Sequence, residues 1–327
     1  MFRHFWGSYL VLAIAAVTAF VFWGFEGLYV MLLLVLLEVS LSFDNAVVNA
    51  KVLNQMDKIW QRRFILWGIP IAVFGMRFIL PVLLVWAVSN MNLWQTFYFA
   101  FSDPQLYAEE LKEGEELIFS FGGAFLLMVA MSFYFDKSRK TFWFEFWEHN
   151  FLVKQASRIN TIALIFATFG GIGLLYLTEN AMVGIAYFLG VVLFEIIHRA
   201  DALFSGGEAR NGLFGFIYLE MLDASFSLDG VIGAFALSEN IFVIMLGLGV
   251  GALFVRSITL FLVNKGSLAE YRYLEHGAYY AIFALALIML VKIFFHVEEW
   301  ITGLISAAFI LLALWHSIVA NKHNLTE

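Results

Sequence analysis

Ten long apolar runs, separated by short polar connectors, divide the 327 residues of this chain. Because a bilayer core about 30 Å thick needs about 20 apolar residues per helix, each run predicts one membrane-spanning helix. The first run is short, but the residues that end it, VFWGFE, lack the small-residue cleavage pattern of a signal peptide, so we retain it as a helix. The predicted spans are residues 9–23, 28–53, 64–88, 116–135, 159–177, 181–198, 213–237, 240–263, 277–296 and 301–320.

The composition supports an all-α polytopic membrane helix bundle. Hydrophobic residues make up 62% of the chain and charged residues 14%, against about 45–50% and about 25% in soluble domains. The chain has no cysteine, which excludes disulfides, thiolate metal ligands and cysteine nucleophiles. The net charge of -7 is negative, whereas nucleic-acid-binding domains are basic, so the charge gives no indication of nucleic-acid binding. No phosphate loop, nucleophile elbow or zinc-protease helix occurs, so we expect neither an enzyme nor a resident cofactor.

The connectors alternate in charge along the chain. Cations lie in the N-terminus, residues 54–63, 136–158, 199–212 and 264–276, and the C-terminus, whereas the intervening connectors are acidic, above all residues 89–115. Because basic connectors stay in the cytoplasm, this alternation predicts ten spans with both termini cytoplasmic.

Two acidic motifs repeat one another inside these apolar runs. Residues 37–47 read LEVSLSFDNAV and residues 222–232 read LDASFSLDGVI. An ionisable side chain inside a membrane costs at least roughly 2.5–3.5 kcal/mol and therefore marks a functional hypothesis. The gapless alignment pairs Glu38 with Asp223, Ser40 with Ser225, Ser42 with Ser227 and Asp44 with Asp229. Four carboxylates at matched positions predict a cation site.

The two motifs are five predicted spans apart and therefore run in opposite directions, which indicates an inverted repeat with halves 1–178 and 179–327. A second landmark agrees with this division, because each motif precedes a helix that carries glycines and one arginine. These helices read GIPIAVFGMR, ending at Arg77, and GLGVGALFVR, ending at Arg256. Both arginines are expected near the carboxylates, either as fixed counter-ions or as partners that change during transport.

The spacing within the motifs bears on the backbone. On an unbroken helix Glu38 and Asp44, six residues apart, do not share a face, whereas Ser40 and Asp44 do. All four carboxylates converge only if the helices unwind, and Asn45 and Gly230 tolerate such a break. We therefore expect a local break after each second acidic residue, next to a cavity or packed protein.

Oxygen ligands of this kind suit Mg, Ca or Mn. The serines of the motifs either add hydroxyl oxygens or only pack helices, and Asn45 adds an amide oxygen. Asp44 and Asp229 have an alternative role as structural salt-bridge partners of the arginines. Glu220, three residues before Asp223, is either an entry ligand or a solvated end residue. Residues 141–149 alternate aromatic and acidic side chains, as expected for an amphipathic segment at the membrane interface.

The paired motifs, each followed by a glycine-containing helix with one arginine, resemble the signatures of the TerC family of integral membrane proteins, named for tellurium resistance. The resemblance implies a bacterial inner-membrane protein related to LysE-type exporters, a group with members linked to manganese efflux and others to tellurite-resistance complexes. It also implies a metal-binding set carried over by position: Glu38, Asp44, Asn45, Asp223 and Asp229. The chain departs from familiar members in having Gly230 where serine is common. It also exceeds their seven-span plan, with ten predicted spans and the long 89–115 connector.

Two functions follow as expectations. The first is a secondary transporter that exports a divalent cation, with manganese as the first candidate and the bilayer and the metal ion as partners. The second is a non-transporting scaffold of a tellurite-resistance, stress-resistance or membrane-protein assembly complex, with a homo-oligomer or other membrane proteins as partners. In that case the exposed segments 89–115 and 136–158 would carry the function.

Overall fold

The computed structural model describes residues 2–89, 91–136, 139, 141–144, 148, 161–204, 212–238, 240–265 and 270–324. Within these residues every regular element is a helix, which confirms the all-α prediction. The elements are α1 (Phe2–Leu41), α2 (Phe43–Gln55), α3 (Lys58–Pro70), a π-helix (Ile71–Ile79), α4 (Leu80–Val88), α5 (Leu93–Ser102), α6 (Pro104–Glu113), α7 (Glu115–Tyr134), α8 (Ile162–Thr178), α9 (Ala181–Phe204), α10 (Leu213–Leu237), α11 (Ile241–Lys265), α12 (Leu274–Lys292) and α13 (Glu299–Asn324).

Seven helical stretches among the described residues are long and apolar enough to cross a membrane, as expected for a membrane helix bundle. By length and composition, the count is thus seven and not the ten of the sequence prediction. Two predicted spans fall within one continuous assignment, α8 has only 17 residues, and α10 carries three acidic side chains. The seven are Phe5–Leu41, Lys58–Val88, Glu115–Tyr134, Ala181–Arg199, Ile241–Asn264, Leu274–Lys292 and Trp300–Asn321.

Helix α1 is interrupted at Gly24, whose backbone (φ 66°, ψ −157°) is not helical. A positive φ of this kind is accessible to glycine because it lacks a Cβ atom. Before this point, Ser8 hydrogen-bonds Ser257 and Trp23 stacks on Phe242. The first part of α1 therefore runs antiparallel to α11.

The part of α1 after Gly24 runs the other way. Leu34 packs on Gly247, and farther along both helices Glu38 packs on Gly251. The order of these contacts increases along both helices, so this part is parallel to α11. The chain consequently folds back on itself at Gly24.

One end of the bundle, here called the acidic end, gathers several acidic connectors. A cavity of about 650 Å³ at this end is lined jointly by Glu109 of α6, Glu116 of α7, Phe235 of α10 and Val297, which follows α12. The connectors after α4, α10 and α12 therefore meet in space. The charge pattern of the sequence thus corresponds to one face of the fold at these connectors.

The opposite end, here called the basic end, is closed by contacts between different connectors. Trp60 at the start of α3 packs on Phe216 at the start of α10. Lys51 near the end of α2 forms an ion pair with Glu275 at the start of α12. The predicted basic connectors are described only in part, and residues 149–160 and 205–211 lie outside the described residues.

The segment 141–149 has both exposed and buried side chains where it is described, with Phe144 38% exposed. Trp143 is 8% exposed and donates from Nε1 to Nδ1 of His316 at 2.8 Å. Glu148 is 5% exposed and accepts a 2.9 Å hydrogen bond from the Tyr280 hydroxyl. The polar groups of Trp143 and Glu148 thus have partners on α13 and α12, and the interfacial position of the segment stays a prediction. The rest of the segment's acidic and aromatic run lies outside the described part of the chain.

The two acidic motifs differ in their backbone. The first motif is broken at Ser42 (φ −105°, ψ 17°), between α1 and α2, which is three residues before the predicted Asn45. The second motif lies inside α10, which is continuous from Leu213 to Leu237 through Gly230. The expected break is therefore displaced in the first motif and wrong in the second.

A nine-residue π-helix, Ile71–Ile79, separates α3 from α4 and carries Arg77. Pro70 precedes it and has no N–H to donate to the fourth residue before it, which disturbs the α-helical ladder at this point. π-Helical segments inside α-helices occur frequently at functional sites.

Candidate functional site

The first acidic residue of the first motif is buried against an arginine. Glu38 is 2% exposed and forms an ion pair with Arg77 of the π-helix. Ser42 donates to Glu38 Oε1 at 3.1 Å, and Arg77 Nη1 donates to the Ala72 carbonyl at 3.0 Å. Ser42 lies four residues after Glu38 and therefore on the same helix face, so Glu38 has both a hydroxyl and a guanidinium as donors.

The matched residue of the second motif has the matched partner. Arg256 Nη2 donates to Asp223 Oδ2 at 2.9 Å, and the same guanidinium donates to the carbonyls of Phe64 (3.1 Å) and Gly68 (3.0 Å). Its Nη1 lies 3.6 Å from Oε1 of Glu220, which is also buried. Glu220 is therefore part of the core of the molecule and not a solvated helix end.

The first acidic residue of each motif contacts the helix of the other motif: Asp223 contacts α2, and Glu38 contacts α10. Asn45 and Asn49, one turn apart on α2, donate to Asp223 Oδ1 at 2.8 and 2.6 Å. Gly230, which the alignment pairs with Asn45, lies against Glu38, and a Cβ at Gly230 would stand 3.4 Å from Glu38 Oε2. Gly230 therefore allows a close helix crossing and does not break its helix.

Asp44, the second acidic residue of the first motif, is fully buried (0% exposed). Its Oδ1 accepts from the Asn45 backbone N–H at 2.9 Å, and its Oδ2 has no hydrogen-bond partner. Among the described residues no lysine, arginine or histidine forms an ion pair with it. The expected pairing with an arginine is not found for this residue.

Asp229, the second acidic residue of the second motif, pairs with a residue that the sequence analysis missed. Lys292 Nζ lies 2.6 Å from Asp229 Oδ1, and both residues are buried. Asp229 Oδ2 has no hydrogen-bond partner. A signal for Lys292 was present, because it is a cation inside the predicted span 277–296 and close to acidic connectors.

The remaining motif serines have different environments. Ser40 is exposed and donates to the Leu36 carbonyl at 2.7 Å, so it does not face the site. Ser225 donates to the Met221 carbonyl at 2.9 Å. Ser227 is buried with a hydroxyl that has no hydrogen-bond partner.

The centre of the polar region is nearly filled. A cavity of about 10 Å³ lies between Arg77 and Arg256, with Asn45, Asn49 and Asp223 also lining it. In the described part of the chain, no three His, Asp or Glu side chains converge into a metal-binding group. The candidate ligands thus surround the crossing of the two motifs without gathering at one point.

The motif helices hold a surplus of buried oxygen acceptors. Each of these atoms lacks a hydrogen-bond partner among the described residues, although most buried polar groups in proteins have one. A buried acceptor without a donor is a position where a cation can be favourable. The atoms are Asp44 Oδ2, Asn45 Oδ1, Asn49 Oδ1, both carboxylate oxygens of Glu220, Ser227 Oγ and Asp229 Oδ2.

Comparison with known proteins adds a family but no activity. A family model described as a protein of unknown function (DUF475) matches residues 43–324. This range includes the second motif, both arginines and Lys292, but only residues 43–47 of the first motif, so Glu38 lies outside it. Searches of curated proteins and of solved structures gave no match.

Proposed function

The chain belongs to the DUF475 family, whose description states no function, and we propose from its polar core that it is a secondary transporter that exports a divalent cation, with manganese as the first candidate. We also propose that it is a relative of the TerC proteins in a bacterial inner membrane. It acts without resident cofactor or enzymatic step, and the metal ion is its cargo.

The surplus of buried oxygens is the observation that carries this proposal. Seven such atoms belong to the two motif helices, and the chain offers no thiolate to compete with them. Carboxylate, amide and hydroxyl oxygens are the ligands of hard and borderline cations such as Mg, Ca and Mn. A purely structural core would satisfy these acceptors with donors, as Arg256 does for Asp223.

The arrangement of the two motifs supports alternating access between inverted halves, 1–178 and 179–327. Glu38 with Arg77 and Asp223 with Arg256 are matched ion pairs at matched positions. Polar sites at the contact of two inverted halves recur in secondary transporters. Movement of one half against the other would bring the dispersed oxygens together on one side at a time.

The proposed topology has ten spans, with the basic end and both termini in the cytoplasm. The reversal at Gly24 supports two antiparallel spans within α1, the second continuing into α2. The apolar helix α8 and the acidic α10 complete the count. Several acidic connectors lie together at the acidic end, away from the basic connectors, which supports an orientation with the basic end in the cytoplasm.

Manganese flux into liposomes that contain the purified protein tests the proposal. Asp44→Asn and Asp223→Asn keep side-chain size but remove a ligand charge, so both should reduce flux to the level of protein-free liposomes. Glu298→Gln changes an exposed carboxylate (side chain 62% exposed) and should leave flux unchanged. Folded variants that all transport at the wild-type rate would contradict the proposal.

The scaffold function has its own supporting observation. Glu38, Asp223 and Asp229 each have a basic partner, as expected if the ion pairs only hold helices together. Under this function, the Asp44→Asn variant would fold, the wild type would bind no manganese at millimolar concentration, and the protein would co-purify with membrane partners. Manganese binding by the wild type that is lost in Asp44→Asn would decide against the scaffold.

A further inference from the structure

The cavity at the acidic end is lined in part by Lys292, the ion-pair partner of Asp229. Its volume is about 650 Å³, and its wall includes Glu109, Glu115 and Glu116 together with Lys112 and Lys292, the second of which is paired with Asp229. Clefts lined by one sign of charge concentrate counter-ions. The excess of carboxylates around the cavity therefore favours cations inside it.

Lys292 connects this cavity to the second motif. It lines the cavity, yet its side chain is only 4% exposed and its Nζ lies 2.6 Å from Asp229 Oδ1. Ile232 and Gly233 of α10 also line the cavity. They lie three and four residues beyond Asp229, so they share its face of the helix. A solute that enters the cavity thus meets the Lys292 ammonium before it meets Asp229.

The pair leaves part of the aspartate unused. Asp229 is 1% exposed, and its Oδ2 has no hydrogen-bond partner, although a buried carboxylate oxygen normally has one. A second positive ligand at Asp229 would find this oxygen available. Lysine suits an exchange of this kind, because its ammonium is a compact charge on a flexible stem and can swing away.

We propose that this cavity is the vestibule of the cation pathway and that Asp229 and Lys292 form a cation-binding position within it. The Lys292 ammonium acts as a tethered cation that a divalent cation displaces from Asp229, and the ammonium returns when the ion leaves. Lys292 thereby sets the affinity of this position for hydrated divalent cations. This inference rests on the proposed transport function and assigns one position of that pathway.

Manganese binding to the purified protein in lipid nanodiscs, followed by the electron paramagnetic resonance of free Mn²⁺, tests the exchange. Lys292→Met removes the competing ammonium and keeps the length of the side chain, so manganese should bind at least about fivefold more tightly, the lower end of usual couplings between ligands. Lys292→Arg keeps the charge and should bind within about twofold of the wild type on the same scale. Asp229→Asn combined with Lys292→Met removes the ligand as well as its competitor and should lose the gain.

The outcomes separate this inference from the proposed function. If the wild type transports manganese and Lys292→Met, correctly folded, binds it no more tightly, the tethered-cation role is wrong while the transporter remains. If Lys292→Met does not fold, the folded double variant decides: manganese binding as tight as or tighter than in the wild type would contradict a role for Asp229. If the wild type neither binds nor transports manganese, both proposals are wrong.

The absence of native cysteines permits a second test of the vestibule. Ala108→Cys introduces a thiol into the cavity wall, and Trp94→Cys introduces one at an exposed position (75%) outside it. A bulky, cationic, water-soluble thiol reagent should modify both variants and should reduce manganese binding only in Ala108→Cys. No reaction at Ala108→Cys, or equal effects at the two positions, would contradict the vestibule.

Discussion

The two acidic motifs agree at their first carboxylate and differ at their second. Glu38 and Asp223 each bind the arginine of the helix that follows their motif. Asp229 binds Lys292, whereas Asp44 is buried without an ion-pair partner among the described residues. Of the two aligned pairs of carboxylates, only Glu38 and Asp223 therefore have equivalent ion-pair partners.

The difference arises outside the motifs. Lys292 is the last residue of α12, and under the inverted-repeat proposal α12 corresponds to α7, which ends in Tyr134. A neutral phenol cannot neutralise a carboxylate as an ammonium does. Under that proposal, the two halves are alike in their arginine–carboxylate pairs and differ in the basic residue that only the second half provides at this position.

The largest expected loss of stability follows from removing the arginine of either buried arginine–carboxylate pair, the feature that the two motifs share. Arg77→Met and Arg256→Met each leave a buried carboxylate without its cation, at a cost of about 3–5 kcal/mol in the free energy of unfolding. The cost should be greater for Arg256, which also serves Glu220 and two carbonyls. Denaturation in mixed micelles measures both, and adding Glu38→Gln to Arg77→Met should recover much of the loss. A cost below about 1 kcal/mol for both variants would equate them with exposed ion pairs and contradict the buried-pair interpretation.

Glycine substitutions test how closely α10 and α11 approach Glu38. A Cβ at Gly251 would lie 2.5 Å from Glu38 Cβ, so Gly251→Ala should destabilise the protein by about 1–3 kcal/mol. At Gly230 the nearest atom is 3.4 Å away and the helix is continuous, so Gly230→Ala should be neutral or stabilising by about 0.5–1 kcal/mol. Gly173→Ala, which meets nothing within 4 Å, is the control. A large loss at Gly230 would restore the interpretation of that residue as a helix break.

The smallest effect is expected at Ser42, whose hydroxyl donates to Glu38 in the first motif. Ser42→Ala removes a buried hydrogen bond to Glu38 and should cost about 1–2 kcal/mol in the free energy of unfolding. Ser40→Ala removes only an exposed hydroxyl that bonds its own helix and should change stability by less than about 0.5 kcal/mol. Equal costs, measured by the same denaturation, would show that Ser42 contributes nothing specific to the carboxylate.

The helices could be predicted from the sequence because long apolar runs have few alternatives in a membrane. The runs 213–237 and 240–263 nearly coincide with α10 (Leu213–Leu237) and α11 (Ile241–Lys265). The reversal at Gly24 agrees with the gap between the predicted spans 9–23 and 28–53, because a glycine can take the positive φ that such a turn needs. The position of the first break also depends on packing, since Ser42 binds Glu38 and Asn45 is held by Asp223.

The polar positions of the site were visible as charges in apolar sequence, but their partners were not. Lys292 is 63 residues from Asp229, and Asn49 is 174 residues from Asp223. No spacing within a motif encodes contacts of that separation, which depend on how α2, α10 and α12 pack. Glu148 shows the same limit, because its burial depends on Tyr280 of a distant helix.

The π-helix that carries Arg77 gives the first half a property that the second half does not share. Arg256 lies in the continuous α11, whereas residues 71–79 are wound more widely, with hydrogen bonds from an N–H to the carbonyl five residues earlier. Rewinding this segment as an α-helix would rotate Arg77 about the helix axis and would change the separation of α3 and α4. The pairing of Glu38 with Arg77 is therefore tied to the winding of the helix that carries the arginine, whereas the pairing of Asp223 with Arg256 depends on a regular helix.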